Sequence, residues 1–215
     1  MFKNLHKFKY NKGVTLIELL VVISIFMVIS SITIFSYGKF NSSLSIQNLS
    51  DDIALSVRRA QGFAIGVRGY SGSFGDGYGI HFTANPSSNL YAGSSKSFIL
   101  FADINLDNKY SNSSNTCGSP TASDECLELL SITSADRISD VYIDGGTNPI
   151  ATNSTVDIVF KRPNPEPTFC YRVGGSGSCS VTPISNVKIK ILNNVDANVF
   201  KIITVSNNGQ ISVSG

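Results

Sequence analysis

Glu18 is the one charged residue in an apolar run that extends from Val14 to Phe35. At 22 residues the run can cross a bilayer as a helix, because the hydrocarbon core takes about 20 residues. A carboxylate at the centre of such a span costs about 2.5–3.5 kcal/mol, so an acid kept there marks a function such as pairing a buried cation. Glu18 stands four residues after Val14, close enough to an interface for the bland alternative that it snorkels to water. The thirteen residues before the run hold Lys3, Lys7, Lys9 and Lys12 and no acid. That basic flank keeps its end cytoplasmic, so the rest of the chain is expected to be exported. A secretory signal has an apolar stretch of about 7–15 residues followed by a small-residue cleavage site. Here the small-residue junction, Lys12-Gly13, precedes the run, and a cut there leaves the run on the mature chain.

Four cysteines follow: Cys117, Cys126, Cys170 and Cys179. None is spaced C-x-x-C and the chain has two histidines, so zinc finds no ligand set. An even count beyond an exported anchor points to disulfides rather than free thiols. The local pairs Cys117–Cys126 and Cys170–Cys179 are favoured, each closing a Gly/Ser-rich loop of about ten residues for about 2–3 kcal/mol of loop entropy. The crossed pairings stay physically open. Asp103, Asn105 and Asp107 place oxygen ligands at alternate positions, like the first half of a calcium loop. An EF-hand would continue with Gly at the sixth position and Glu at the twelfth, where this chain has Asn108 and Ser114. The alternative is a polar turn whose side chains cap the backbone. Ca2+ on Asp103, Asn105 and Asp107 is the one cofactor with a candidate site, and no other is expected.

Catalytic chemistry finds no motif. His6 lies in the basic flank, His81 in an alternating strand pattern that suits a structural role, and Gly-x-Ser-x-Gly, phosphate-loop and His-Glu-x-x-His sequences are absent. An enzyme is not expected. Of 17 basic residues the flank takes four, leaving thirteen against 15 acidic ones, a side-chain charge of −2 for the remainder. The overall +2 therefore belongs to the flank, which weakens a bulk-electrostatic case for nucleic acid. Tyr70, Phe74, Tyr78, Lys96 and Lys109 could form an aromatic-basic patch, or pack locally in glycine-rich loops.

Lys12-Gly13-Val14-Thr15-Leu16-Ile17-Glu18-Leu19-Leu20 resembles the prepilin signature of type IV pilins and type II secretion pseudopilins. The resemblance implies cytoplasmic cleavage after Gly13 by a prepilin peptidase and N-methylation of Val14. It also implies that Glu18 pairs with the terminal amine of a neighbouring subunit in a filament. Opposite charges buried together each lose hydration, and pairing offsets that loss only in good geometry, so such a pair sets register more than it adds cohesion. The family usually has Phe where this chain has Val14.

The elements that would carry these residues follow from periodicity. Ile46, Leu49, Ile53, Val57, Ala60, Ala64 and Val67 recur at spacings of three and four, an amphipathic helix stripe. No proline precedes Pro86, so one helix is predicted from about Val14 to about Val67, roughly 80 Å long at 1.5 Å per residue. Gly38 and Asn41-Ser42-Ser43 are weak helix formers where a kink could form, and Gly62 and Gly66 weaken the end. Beyond Gly69 the pattern turns to period two. Strands are predicted at Tyr78–Phe82, Phe98–Asp103, Leu127–Ile132, Val141–Ile143, Val156–Lys161, Phe169–Val173, Val187–Leu192, Phe200–Ser206 and Gln210–Val213. Asn207-Asn208-Gly209 signals a hairpin in which both Asn and Gly take positive φ. Pro86–Ser97, Tyr110–Glu125 and Gly145–Ser154 are expected to be exposed loops. The fold class is α+β: a long N-terminal helix, transmembrane in its first half, packed on a mostly antiparallel head of about 7–9 strands. The expected divisions are a leader at 1–13, a transmembrane or filament-core helix at 14–37, its amphipathic continuation at 38–68 and a head at 69–215.

Arg58-Arg59-Ala60-Gln61-Gly62-Phe63-Ala64-Ile65 is similar to the helix end of the GspH/FimT group of minor pilins. So, in order, are Tyr78–Phe82, Ser97–Asp107, and Ile202–Ser206 with Gly209-Gln210-Ile211. That group often has Arg at the positions of Gln61 and Gln210, and the loss of both charges argues against DNA binding here. The resemblance implies a structural subunit, a minor pilin or pseudopilin of a type IV pilus-like filament. Its expected partners are other pilin subunits, the prepilin peptidase, an inner-membrane assembly platform and, before assembly, the lipid bilayer. The head would lie outside the inner membrane, periplasmic or at the cell surface. Two alternatives stand beside it: a tip module that binds DNA, which is not favoured, or a surface ligand, and a type II secretion pseudopilin that acts in protein export.

Overall fold

The computed structural model describes residues 13–66, 69, 77–86, 89–146, 148–151, 153–164, 166–175, 177–180 and 183–215, with the backbone alone at Phe35 and Ser36. Residues 1–12 of the expected leader, Val67 of the helix stripe, and Tyr70 and Phe74 of the aromatic-basic patch lie outside the described residues. One α-helix, α1 (Leu16–Ile65), precedes β1 (Gly77–Thr83), β2 (Ser97–Asp103), β3 (Cys126–Ser131), β4 (Arg137–Ile143), β5 (Thr155–Phe160), β6 (Pro167–Arg172), β7 (Asn186–Leu192), β8 (Phe200–Ser206) and β9 (Ile211–Ser214). Short 3-10 turns lie at Leu90–Ala92 and Val173–Gly175. The strands form a five-stranded sheet, β3-β2-β1-β5-β6, and a four-stranded sheet, β4-β7-β8-β9. Every pairing is antiparallel, so the fold is α+β.

Two units are separable along the chain, 1–41 and 42–215. In the first, α1 exposes its apolar side chains, Leu16, Ile17, Leu19, Leu20 and Phe26 among them. Two of its hydroxyls bond within the helix: Ser24 donates to the Val21 carbonyl at 2.8 Å and Thr33 to the Ile29 carbonyl at 2.9 Å. Hydroxyls bonded back to the preceding turn suit an apolar surrounding. Gly38 and Asn41-Ser42-Ser43 are helical residues of α1.

In the second unit the predicted stripe is the buried face of the helix. Ile53, Val57 and Ala60 are fully buried, with Ile46, Leu49 and Ala64 beside them. They share one core with Tyr78, Ile80 and Phe82 of β1, Ile158 and Phe160 of β5, and Val187, Ile189 and Ile191 of β7. A polar clamp adds to this packing, since Ser45 donates to the buried Asp136 carboxylate, which also accepts from Ser134 and Asn193.

Three expectations are corrected. β4 begins at Arg137, four residues before the predicted Val141, because a register shift between Ile138 and Asp140 breaks the alternation that would have shown it. The expected loops are not exposed throughout, for Ser94, Ser97, Tyr110, Glu125 and Ser154 are buried. In the β8–β9 turn Gly209 alone takes positive φ, at 81°. Asn208 accepts the Gln210 N–H through its side chain at 3.0 Å instead, which fits a three-residue loop closed by a left-handed glycine.

Disulfides join Cys117 to Cys126 and Cys170 to Cys179, with Cα–Cα distances of 4.7 and 4.9 Å. Cys126 lies on β3 and Cys170 on β6, the two outer strands of the five-stranded sheet. The closed loops bond back along those strands, Gly118 N–H to the Cys126 carbonyl at 3.0 Å and Ser180 N–H to the Tyr171 carbonyl at 2.9 Å. Replacing either cysteine pair with serine is expected to lower stability by about 2–3 kcal/mol, the entropy of a loop this short. Urea unfolding of the oxidised chain and the two double variants checks this.

Candidate functional site

The helix that carries Glu18 starts abruptly. Gly13, Val14 and Thr15 are non-helical and Leu16 is the first helical residue. Thr15 is the N-cap: its hydroxyl accepts the Glu18 N–H at 3.3 Å and its carbonyl accepts the Leu19 N–H at 3.2 Å. A threonine here satisfies one of the orphan donors of the first turn. Glu18 is thus the third helical residue, an acid in the first turn, where the positive end of the helix dipole favours a carboxylate. Val14 is the residue just outside the cap, so a terminal amine made at Val14 would open the same turn that holds Glu18. Thr15 went unread as a cap in the sequence, although Thr-x-x-Glu is a capping-box spacing.

The helix end quoted above reaches both sheets' strands or turns. The Arg59 guanidinium pairs with Glu128 of β3 and lies 5.9 Å from the Phe63 ring centroid. Gln61 Nε2 donates to the Gly209 carbonyl at 3.4 Å, so the position that lacks a positive charge docks the β8–β9 turn. The aromatic-basic patch does not assemble from its described members. Tyr78 is buried edge-on against Phe63. The Lys96 ammonium donates to the Ser134 and Asp136 carbonyls at 2.7 and 2.6 Å, and Lys109 pairs with Asp107 at 3.0 Å.

The three candidate calcium ligands act as turn caps. Asp103 accepts the Asn108 N–H at 3.2–3.3 Å and pairs with the Lys161 ammonium at 2.8 Å. Asn105 accepts the Asp107 N–H at 3.0 Å, and Asp107 accepts the Lys109 N–H at 2.9 Å. Among the described residues, no three His, Cys, Asp or Glu side chains form a group able to hold a metal ion. Beside this loop the buried Glu125 carboxylate accepts from the N–H groups of Ile104, Asn105 and Ser111 at 3.1, 3.4 and 2.9 Å.

Burial pushes the Glu125 carboxyl up from 4.5 to about 8, helped by the Asp103 and Asp107 charges and opposed by the bonded N–H groups. A folded-state pKa above the unfolded one favours the fold fully below about 4.5 and loses that contribution as pH rises through about 8. Stability is therefore expected to fall between pH 5 and 9, and Glu125→Gln to flatten the slope, read from urea midpoints at both pH values.

His81, read from the sequence as a structural strand residue, is part of a buried ionic network. The register that pairs β1 with β5 sets His81 opposite Asp157. His81 Nδ1 lies 2.5 Å from one Asp157 oxygen, and Arg172 of β6 donates to the other at 2.9 Å. Nε2 of His81 faces the Ala92 carbonyl at 3.1 Å, and the ring packs 4.8 Å from that of Tyr110. Gly93, at φ 75°, lies so close that a Cβ there would meet the His81 ring at 2.8 Å. The Arg172 guanidinium also reaches the Tyr110 carbonyl at 3.4 Å.

A family model of the prokaryotic N-terminal methylation motif matches residues 8–34. No curated protein matches the sequence. Among solved structures, the type IV minor pilin FimU of Pseudomonas aeruginosa is similar at 9% identity and a TM-score of 0.41, over 82% of this chain and 92% of that one. That motif falls on the apolar, Glu18-bearing start of a 50-residue helix that precedes antiparallel sheets.

Proposed function

We propose that this chain is a structural subunit, a minor pilin or pseudopilin, that is cleaved after Gly13, methylated at Val14 and assembled through α1 into a type IV pilus-like filament. The observation that carries the reading is Glu18 in the first turn of a helix whose following apolar residues are exposed. In this reading residues 1–13 are the leader, 14–37 the lipid- or filament-buried helix, 38–68 its amphipathic continuation and 69–215 the head. The helix is long and apolar enough to cross a membrane, which supports an inner-membrane stage with the head exported. Apolar neighbours in a filament replace lipid around α1, so moving from bilayer to filament costs little burial. The Glu18 carboxylate then meets the Val14 amine of the adjoining subunit and fixes its register. The partners are the prepilin peptidase, an assembly platform and sister subunits, and the role is structural rather than catalytic.

Intact mass after co-expression with a prepilin peptidase tests this. The expected species lacks Met1–Gly13, carries one added methyl and gains four hydrogens when its two disulfides are reduced. A full-length species in the presence of active peptidase overturns the reading.

A further inference from the structure

Next to the ionic network the second unit holds an open cleft of about 430 Å³, within the range of about 300–1,000 Å³ usual for ligand sites. It lies where the end of β1 and the turn at Leu90–Ala92 face β6 and the turn at Val173–Gly175. Two of its lining side chains, Arg172 and Thr155, are 9% and 7% exposed. Arg172 Nε and Thr155 Oγ1 are buried with no hydrogen-bond partner among the described residues. Buried polar atoms are nearly always bonded, so two such orphans beside one cleft mark a place where a small side-chain movement would offer both to a ligand.

The lining chemistry narrows the ligand. Five asparagines line it, at 85, 89, 112, 115 and 153, and no Asp, Glu or Lys is among the lining residues. A cleft without carboxylates does not suit a hard cation. Its guanidinium is already balanced by Asp157 at 2.9 Å, which leaves no uncompensated charge for a phosphate. Each asparagine amide carries a donor pair beside an acceptor, a match for neighbouring hydroxyls on a ring. Half-buried Tyr91 adds an aromatic surface, amphipathic like a sugar's own faces.

We propose that this cleft binds a neutral sugar unit of a glycan, with Thr155 Oγ1, Arg172 Nε and the Asn153 amide among its hydrogen-bonding groups. The inference goes beyond the filament reading and stands independently of leader cleavage and of Glu18. Full-length chain in a detergent without a sugar headgroup is applied to an array of neutral mono- and disaccharides, with inorganic phosphate and a single-stranded oligonucleotide as competitors. Saturable binding to at least one sugar is expected, at least tenfold weaker in Thr155→Val and in Asn153→Ala. Thr155→Val keeps the side-chain shape and removes an orphaned hydroxyl, so its melting temperature should equal or exceed that of the unaltered chain. An array with no bound sugar overturns the proposal. So does sugar binding of equal strength in both variants, or displacement of the sugar by phosphate or oligonucleotide.

Discussion

Glu18→Ala is expected to reach the membrane at normal or higher level and to disappear from filaments. The two halves of that result have different causes. Insertion improves because a carboxylate is removed from an apolar span, a change worth up to about 2.5–3.5 kcal/mol. On the proposed pairing, assembly fails because the neighbour's terminal amine loses its acceptor. Removing one partner of a buried ion pair costs about 3–5 kcal/mol, and each 1.4 kcal/mol is about tenfold. The filament-to-membrane ratio should therefore fall by about a hundredfold or more. Immunoblots of sheared filaments and of inner membranes measure it. Thr15→Ala, which removes only the cap, should cost about 1 kcal/mol of helix stability and change the ratio far less. Normal incorporation of Glu18→Ala would sink the pairing mechanism.

The second large effect is expected in the head. Asp157→Ala strips the acceptor from both the Arg172 guanidinium and His81 Nδ1, in a place where Asp157 is fully buried. An orphaned buried cation again costs about 3–5 kcal/mol, a large share of the roughly 5–15 kcal/mol that holds an ordinary domain together. For a unit of this size the melting temperature should drop by about 10 °C or more. Thermal unfolding followed by circular dichroism reads it. The double variant Asp157→Val with Arg172→Met should recover much of the loss, because apolar side chains of similar volume leave no unpaired charge. A melting temperature unchanged by Asp157→Ala would mean that water already reaches the group.

Much of this architecture could be read in the sequence. The stripe from Ile46 to Ala64 became the buried face of α1, because a period of 3.6 has no other way to hide those side chains. Nine short alternating runs became nine strands. The short cysteine spacings led to the local disulfides. The ionic network was not legible, since its members meet through the β1–β5 pairing, a neighbour relation that skips three intervening strands. A lone His81 in one run and a lone Asp157 in another look unrelated until the sheet order is known. Glu125 was hidden for a similar reason, as it follows a polar stretch with the composition of a surface loop. The N-terminal motif was the most legible part because its signal is local: a basic flank, a glycine and an acid within the first eighteen residues.

Each outer strand of the five-stranded sheet carries a loop that one of the chain's own disulfides ties to it. An unpaired strand margin is a template on which foreign strands grow. Each loop takes up one backbone group at its margin, the Cys126 carbonyl of β3 and the Tyr171 carbonyl of β6. In a reducing compartment both ties would be lost, and the two carbonyls would be freed for a foreign strand. For a chain exported as proposed, oxidation after export would then set both ties in the compartment where the proposed filament forms.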